Sequence, residues 1–190
     1  LLARRIQRSV GPCHRFSYPT VRRTLAENAR ALFDYCHARP ASRLNLVGHS
    51  LGGLVSLRML DEFSGELPPG RLVLLGSPVN GSAVARTLTR AALTRPLSSS
   101  FLGRAASGLE YGFAHAPPGR DTGVIAGTSR KGAGQLISAL DLPHDGTVSV
   151  AETRLDGASE QLTLHVSHTG LIISKTVAES VARFLRSGQF

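Results

Sequence analysis

A serine inside a glycine-rich hexapeptide has the clearest capacity for chemistry in this sequence. Ser50 lies in GHSLGG, residues 48–53, between a short apolar run and a segment with helical spacing over residues 51–63. A sharp turn from strand to helix needs outer positions that are nearly free of side chains, which Gly48 and Gly52 supply. Such a turn holds Ser50 out of the packed strand, at the start of the following helix. The serine can act as a nucleophile if a base stands beside it.

The base and its orienting acid are sought downstream, because a serine hydroxyl is a weak nucleophile near neutral pH. In this type of turn the order along the chain is serine, then aspartate or glutamate, then histidine. Asp145 follows a proline and precedes a glycine, which marks a loop, and His168 lies where an alternating strand pattern stops before a helical run. We therefore select Ser50, Asp145 and His168 as the catalytic residues. Asp141 is the alternative acid and His165 the alternative base.

Each of these residues also has a purely structural interpretation. Ser50 could be an ordinary turn serine, Asp145 could form a turn with the glycine after it, and His168 could cap a helix or lie on the surface. His49 precedes the nucleophile, and we interpret it as a packing or hydrogen-bonding residue rather than a catalyst.

The chain resembles an α/β-hydrolase of the lipase and esterase kind. Four segments carry the resemblance: GHSLGG, the loop LGSPVNGS at residues 75–82, DGTV at residues 145–148, and His168 ahead of the last helix. The second segment is similar to a loop that many bacterial lipases carry. The resemblance implies an α/β fold, with a mostly parallel sheet and helices on both faces, in a single domain over residues 1–190. It also implies a small cap over the nucleophile, at residues 82–121.

The alternation of strands and helices supports the same fold class. Strands are predicted at residues 43–47, 71–75, 124–127 and 162–166, with a further short strand at residues 13–18. Helices are predicted at residues 1–10, from a cap at Thr20 or Thr24 to the proline at position 40, at residues 51–63 and at residues 171–186. Thr24 and Glu27 have the spacing of a capping box.

One part of an acyl-transfer site is missing from the sequence. The resemblance implies two N–H donors for the developing oxyanion, and the backbone N–H of Leu51 is one of them. In the family the second donor comes from a loop after an earlier strand, typically with a His-Gly pair, and no such pair precedes residue 48. We expect that the sequence starts late and that the N-terminal strand and the second donor lie outside this chain. If the protein truly begins at Leu1, the loss of one donor predicts a rate roughly 10²–10³-fold lower.

Composition limits the function classes further. The 190 residues carry a formal charge of +9, with arginines scattered along the chain, which is typical of a solvated surface. Attraction to an anionic membrane surface or to an acidic partner is the alternative interpretation of the charge. Nucleic-acid binding is not expected, because no known binding motif accompanies the charge. Cys13 and Cys36 are expected to be buried free thiols. No metal-ligand spacing occurs, and neither a metal nor an organic cofactor is implied.

The sequence thus predicts a serine hydrolase that cleaves a small-molecule or lipid carboxylic ester through an acyl-enzyme on Ser50. A thioesterase or acyltransferase with the same residues is one alternative. A non-catalytic module that binds a lipid or a partner is another. We expect a cytoplasmic location, although an upstream leader would be invisible in a sequence that starts late. The sequence does not decide the oligomeric state.

Overall fold

The computed structural model describes residues 1–20, 22–81, 113, 115–130 and 140–190. The prediction of a cap at residues 82–121 therefore falls mostly outside the described residues.

Four parallel strands form the sheet in the described part of the chain. Their order in space, β1-β2-β3-β4, is also their order in sequence, so every connection returns to the same end of the sheet. The pairing is in register at His49 opposite Leu75 and at Leu75 opposite Ile125. The strands are β1 (Leu46–His49), β2 (Leu72–Leu75), β3 (Thr122–Gly127) and β4 (Glu160–Leu164). Parallel strands joined in this way place all their carboxyl ends at one edge.

Helices cover both faces of this sheet. Successive side chains of a strand point to opposite faces. In β2, Leu72 and Leu74 therefore pack with α2 and α3, and Val73 and Leu75 face Ile6 and the C-terminal helix. The helices are α1 (Leu2–Val10), α2 (Leu25–His37), α3 (Leu51–Phe63), α4 (Val150–Thr153), α5 (Gly170–Ile173) and α6 (Lys175–Ser187). The result is a three-layer α/β arrangement, as the sequence predicted.

Local signals explain where several helices begin. Thr24 caps α2: its hydroxyl accepts from the N–H of Glu27, whose carboxylate accepts from the N–H of Thr24 at 2.7 Å. Ser149 and Glu152 form the same reciprocal pair ahead of α4, a helix that the sequence analysis did not predict. These pairs satisfy N–H groups that have no acceptor within the helix.

Two predictions about elements were wrong. Residues 13–18 form no strand, because no neighbouring strand lies beside them in the described structure to complete a hydrogen-bond ladder. In the described sheet β1 is accordingly an edge strand. The predicted closing helix is divided into α5 and α6 at Ser174, which has extended backbone angles and whose hydroxyl accepts from the N–H of Val177.

Neither a membrane-spanning helix nor a fully buried cysteine occurs among the residues that the structure describes. Among the residues that the structure describes, no helix combines the length and the apolar character that crossing a bilayer requires. Cys13 and Cys36 are both free thiols, and both are half-buried rather than fully buried. Burial raises the pKa of both thiols.

Candidate active site

The carboxyl ends of the four strands bring the candidate residues to one edge of the sheet. Ser50 follows β1 directly, Gly76 follows β2, and Gly127 is the last residue of β3. His168 lies four residues after the end of β4, and Asp145 lies on the loop that precedes α4. In open α/β sheets this edge is where binding and catalytic groups collect.

The backbone of Ser50 has a conformation that side-chain-bearing residues rarely adopt. Its φ is 54° and its ψ is −126°, and no other non-glycine residue of the described chain has a positive φ. The turn is held in place because the N–H of Ser50 donates to the carbonyl of Leu75, at 2.9 Å, and its carbonyl accepts from the N–H of Gly53, at 3.1 Å. Strain of this kind persists only where the surroundings over-determine it, and it concentrates at functional sites.

Close packing within the turn falls on Gly48, as predicted, and on Gly53 rather than Gly52. A Cβ on Gly48 would lie 2.5 Å from the Cα of Gly53, and a Cβ on Gly53 would collide with the Ser77 hydroxyl. Gly52 is less restricted, since a Cβ there would be 3.5 Å from the Tyr18 hydroxyl, an ordinary contact distance. The steric requirement therefore lies on Gly48 and Gly53, and a side chain at position 52 would meet only ordinary contacts.

Asp145 is held by its own loop as a hydrogen-bond acceptor. The side chain is buried, with 1% of its surface exposed. Its Oδ1 accepts from the N–H groups of Thr147, at 2.9 Å, and Val148, at 2.8 Å. Two backbone donors on one oxygen satisfy a buried carboxylate and leave Oδ2 free to point elsewhere.

That second oxygen contacts His168. Asp145 Oδ2 lies 2.7 Å from His168 Nδ1, and the backbone N–H of His168 donates to the carbonyl of Asp145 at 2.9 Å. With the carboxylate as acceptor, Nδ1 carries the proton and Nε2 keeps its lone pair. The imidazole thereby has the tautomer and the orientation that a general base requires.

Gly76 allows this pair to lie beside the Ser50 turn. A Cβ on Gly76 would be 2.9 Å from Asp145 Oδ2 and 3.2 Å from His168 Nδ1, so only a glycine leaves room for the pair. Gly76 follows Leu75, whose carbonyl accepts from the N–H of Ser50. The Ser50 turn after β1 and the Asp145–His168 pair beside Gly76 thus lie next to each other, at the ends of adjacent strands.

His49 provides a second link between the Ser50 turn and His168. The carbonyl of His168 accepts from His49 Nε2 at 3.0 Å, and the centroids of the two imidazole rings are 4.5 Å apart. Burial, and after it the neighbouring His168, lowers the pKa of His49 to about 4. His49 is therefore neutral near pH 7, with its Nε2 proton committed to the His168 carbonyl.

Solved structures with a similar overall fold place the chain among known folds. Phospholipase PlaB from Legionella pneumophila aligns with a TM-score of 0.71 at 16% identity, over 92% of this chain and 52% of that one. A metagenomic carboxyl esterase aligns with a TM-score of 0.65 at 20% identity, over 88% and 63%. A lipase from Bacillus licheniformis in its propeptide form aligns at 0.63 and 23% identity, over 83% and 39%. The chain has the α/β-hydrolase fold. It spans less than two thirds of the length of each of these three proteins.

Sequence comparison adds nothing to this result, since no family model and no curated protein matches the chain.

The alternative acid, Asp141, and the alternative base, His165, lie outside the contact between Asp145 and His168. Asp141 is exposed. His165 is exposed just beyond β4, where its Nδ1 is 3.4 Å from the Thr128 hydroxyl. Neither takes part in the contact between acid and imidazole.

Ser50 and His168 are not joined by a hydrogen bond in this structure of the α/β-hydrolase fold. Contacts between nucleophile and base are often long without substrate and tighten when it binds. Leu51 begins α3, and the N–H groups of a first helical turn have no acceptor inside the helix. Within the part of the chain that the structure describes, its N–H is thus available to bind another group.

The role of Gly76 was not predicted, whereas the interpretation of His49 as a packing or hydrogen-bonding residue is confirmed. Gly76 lies within the LGSPVNGS segment, but only the packing of two distant loops reveals why a glycine is needed there. A metal centre was not predicted, and the described residues contain no group of three or more His, Cys, Asp or Glu side chains that could hold a metal ion.

Proposed function

We propose that the protein is a serine hydrolase that cleaves carboxylic esters through an acyl-enzyme on Ser50. The observation that carries the proposal is the Asp145–His168 pair, buried and oriented at the strand edge where Ser50 occupies its strained turn. A turn serine of purely structural use would not need an imidazole with a fixed tautomer in the adjacent loop. The two links through Gly76 and His49 support a functional relationship between these loops.

The chemistry follows from the atoms at hand. His168 Nε2 accepts the proton of the Ser50 hydroxyl as Oγ attacks the ester carbonyl carbon. Asp145 accepts the Nδ1–H bond throughout and stabilises the imidazolium that forms. Leu51 N–H donates to the carbonyl oxygen as it gains negative charge.

The tetrahedral adduct on Ser50 then gives products in two stages, acylation and hydrolysis. The carbon–oxygen bond to the alcohol breaks, and His168 returns its proton to the departing alkoxide, which leaves an acyl-enzyme. Water gives a proton to His168 as it attacks the acyl carbon, and the bond from that carbon to Ser50 Oγ then breaks. His168 returns the proton to Oγ, which restores Ser50 and releases the acid. No metal or organic cofactor takes part in these steps.

The substrate class is a small-molecule or lipid ester. Proteins described as a lipase, a carboxyl esterase, a phospholipase and a type II thioesterase have the same fold, which supports hydrolysis at an acyl carbonyl. A fold hosts many chemistries, so the proposal rests on the site first and on this likeness second.

Covalent labelling tests the proposal directly. A fluorophosphonate should add to Ser50 in the folded protein, as shown by intact mass and peptide mapping, and p-nitrophenyl butyrate should be hydrolysed. Ser50→Ala should remove both. Ser56→Ala is the matched control, because Ser56 lies on the same helix and its hydroxyl donates to the carbonyl of Gly52. Failure of the native protein to form an adduct would contradict the proposal. An adduct without ester turnover, but with turnover of an acyl thioester, would reassign it as a thioesterase.

A further inference from the structure

Helices α1 and α6 lie on the same face of the sheet and present a basic surface. Ile6 of α1 belongs to the same buried cluster as Val177 and Val181 of α6, so the polar sides of both helices face away from the core. The cationic side chains of these two helices are all exposed or half-buried. They are Arg4, Arg5, Arg8, Lys175, Arg183 and Arg186, and we call these residues the α1–α6 surface.

Contacts between the two helices bring these residues together. Arg186 Nη1 lies 3.4 Å from the carbonyl oxygen of Ser9, and Arg5 donates to the carbonyl of Ile173, just ahead of α6. Arg4 and Arg183 lie one helical turn from residues that line a groove between the helices. This groove, of about 460 Å³, is lined by Arg5, Arg8, Ser9, Lys175, Ala178 and Glu179.

Acidic groups offset little of this positive charge. In α1 and α6, which the structure describes in full, Glu179 is the only acidic residue, and its carboxylate lies 3.4 Å from Lys175 Nζ. Other helices carry their own counter-charges, as Arg58 of α3 does in its ion pair with Glu62. The arginines that are scattered in the sequence therefore form a surplus of positive charge on one surface, which favours an anionic partner.

An exposed apolar side chain lies at the end of this surface that is nearer the candidate active site. Ile173 is 51% exposed, and its carbonyl accepts the bond from Arg5. Two residues before it, the buried Leu171 packs beside Gly76, since a Cβ on that glycine would lie 2.6 Å from Leu171 Cδ1. An apolar residue among cations is the combination with which proteins bind anionic membranes.

We propose that the α1–α6 surface docks onto membranes that contain anionic phospholipids. Its cations lie against the lipid phosphates, and Ile173 enters the boundary between head groups and acyl chains. Clusters of about four to eight basic residues are typical of such surfaces. The exposed isoleucine favours a bilayer over a nucleic acid, which offers negative charge without an apolar interior. Docking brings the candidate active site beside lipid esters, and this consequence alone rests on the proposed function.

Vesicle sedimentation tests the docking and needs no catalysis. The protein should sediment with vesicles of phosphatidylcholine and phosphatidylglycerol at about 3 to 1 and remain in solution with phosphatidylcholine alone. Raising NaCl from about 0.1 M to about 1 M should release it, because the Debye length falls from about 10 Å to about 3 Å. Failure to sediment with the anionic vesicles at the lower salt concentration would overturn the proposal and leave an acidic protein as the partner of this surface.

Charge reversal locates the docking surface. In the double variant Arg8→Glu and Arg183→Glu, the vesicle-binding constant should fall at least about tenfold, since each basic residue near an anionic surface contributes roughly fivefold. Arg43→Glu with Arg154→Glu is the matched control, because it changes the net charge equally at exposed positions outside α1 and α6. Equal losses in the two double variants would overturn the assignment to this surface. Thermal unfolding shows whether each variant folds, and Arg8→Gln with Arg183→Gln should give a smaller loss in the same direction.

Two further variants separate the parts of the proposal. Ile173→Asn should weaken binding to the anionic vesicles about fivefold or more, and unchanged binding would overturn the insertion of Ile173. Ser50→Ala should sediment as the native protein does. Sedimentation without a fluorophosphonate adduct in the native protein would overturn the proposed function alone, and an adduct without sedimentation would overturn the docking alone.

Discussion

Asp145 and His168 are joined by two hydrogen bonds, one between side chains and one between backbones. Oδ2 lies 2.7 Å from Nδ1, and the His168 N–H donates to the Asp145 carbonyl at 2.9 Å. The backbone bond fixes the distance between the two loops, so the side-chain bond needs little further ordering. A pair held at both levels is already ordered for the acid and base roles that we propose for it.

Asp145→Asn tests whether the carboxylate of Asp145 fixes the tautomer of the His168 imidazole. The amide oxygen can still accept from Thr147 and Val148, which turns the amide NH₂ toward His168 Nδ1. Nδ1 must then become the acceptor and the proton moves to Nε2, where it blocks the base. We expect kcat to fall about 10⁴-fold with little loss of stability, as measured by steady-state kinetics and thermal unfolding. Asp141→Asn, at an exposed position, should be neutral, and equal losses in the two variants would contradict the assignment of the acid.

Gly76→Ala tests whether the Asp145–His168 pair needs the room that a glycine at position 76 leaves. The new methyl group would lie 2.6 Å from Leu171 Cδ1, 2.9 Å from Asp145 Oδ2 and 3.2 Å from His168 Nδ1, so these side chains would have to shift. Misplacement by about 1 Å predicts a loss of activity of roughly 10²-fold.

Gly119→Ala is the control for the backbone cost of that substitution. Gly119 has a φ of 70°, near the 52° of Gly76, but nothing lies within 4 Å of its Cβ position. Both variants should lose stability, and only Gly76→Ala should lose activity. A fully active Gly76→Ala protein would show that the pair does not need this contact.

Replacements of Ser50 measure the strain stored in the turn. At a φ of 54° glycine avoids the clash that a Cβ causes, so Ser50→Gly should be more stable than Ser50→Ala by about 1 kcal/mol, although both are inactive. The difference is read from denaturant unfolding. At Ser56, inside α3, the order should reverse, with alanine the more stable by about 1 kcal/mol. The same order at both positions would argue against strain at Ser50.

The lowered pKa of His49 predicts how the free energy of unfolding depends on pH. Its pKa is about 4 in the folded protein and about 6.5 when unfolded, so between these values the unfolded chain binds more protons. The free energy of unfolding should therefore fall as the pH drops from 7 to 4.5, with a contribution from His49 of about 2 kcal/mol.

His49→Gln keeps an N–H donor for the His168 carbonyl and does not titrate. Denaturant unfolding at pH 7 and pH 4.5 should accordingly show a smaller drop for this variant than for the native protein. His165→Gln, at an exposed position, should leave the drop unchanged. An equal drop in His49→Gln and the native protein would mean that another group is responsible.

The elements with strong local signals could be predicted from the sequence. The helix at residues 51–63 was confirmed to the residue, and Thr24 caps α2 with Glu27 as its spacing indicated. These features depend on side chains within a few positions of each other. The order of strand, serine turn and helix around Ser50 belongs to the same class, which is why GHSLGG was informative alone.

Contacts between distant segments depended on the tertiary structure. Residues 13–18 have a strand-like composition, but a strand needs a neighbour with which to exchange hydrogen bonds, and composition does not show whether one is present. The fit of Gly76 around Asp145 and His168, the bond from His49 to the His168 carbonyl, and the approach of Tyr18 to Gly52 each join parts of the chain that are far apart in sequence. The sequence by itself determined which residue types could perform acyl transfer and in what order they occur. Only the packing of the parallel strand ends decided which of them meet, because side chains from separate loops acquire a common geometry only when the sheet between them has formed.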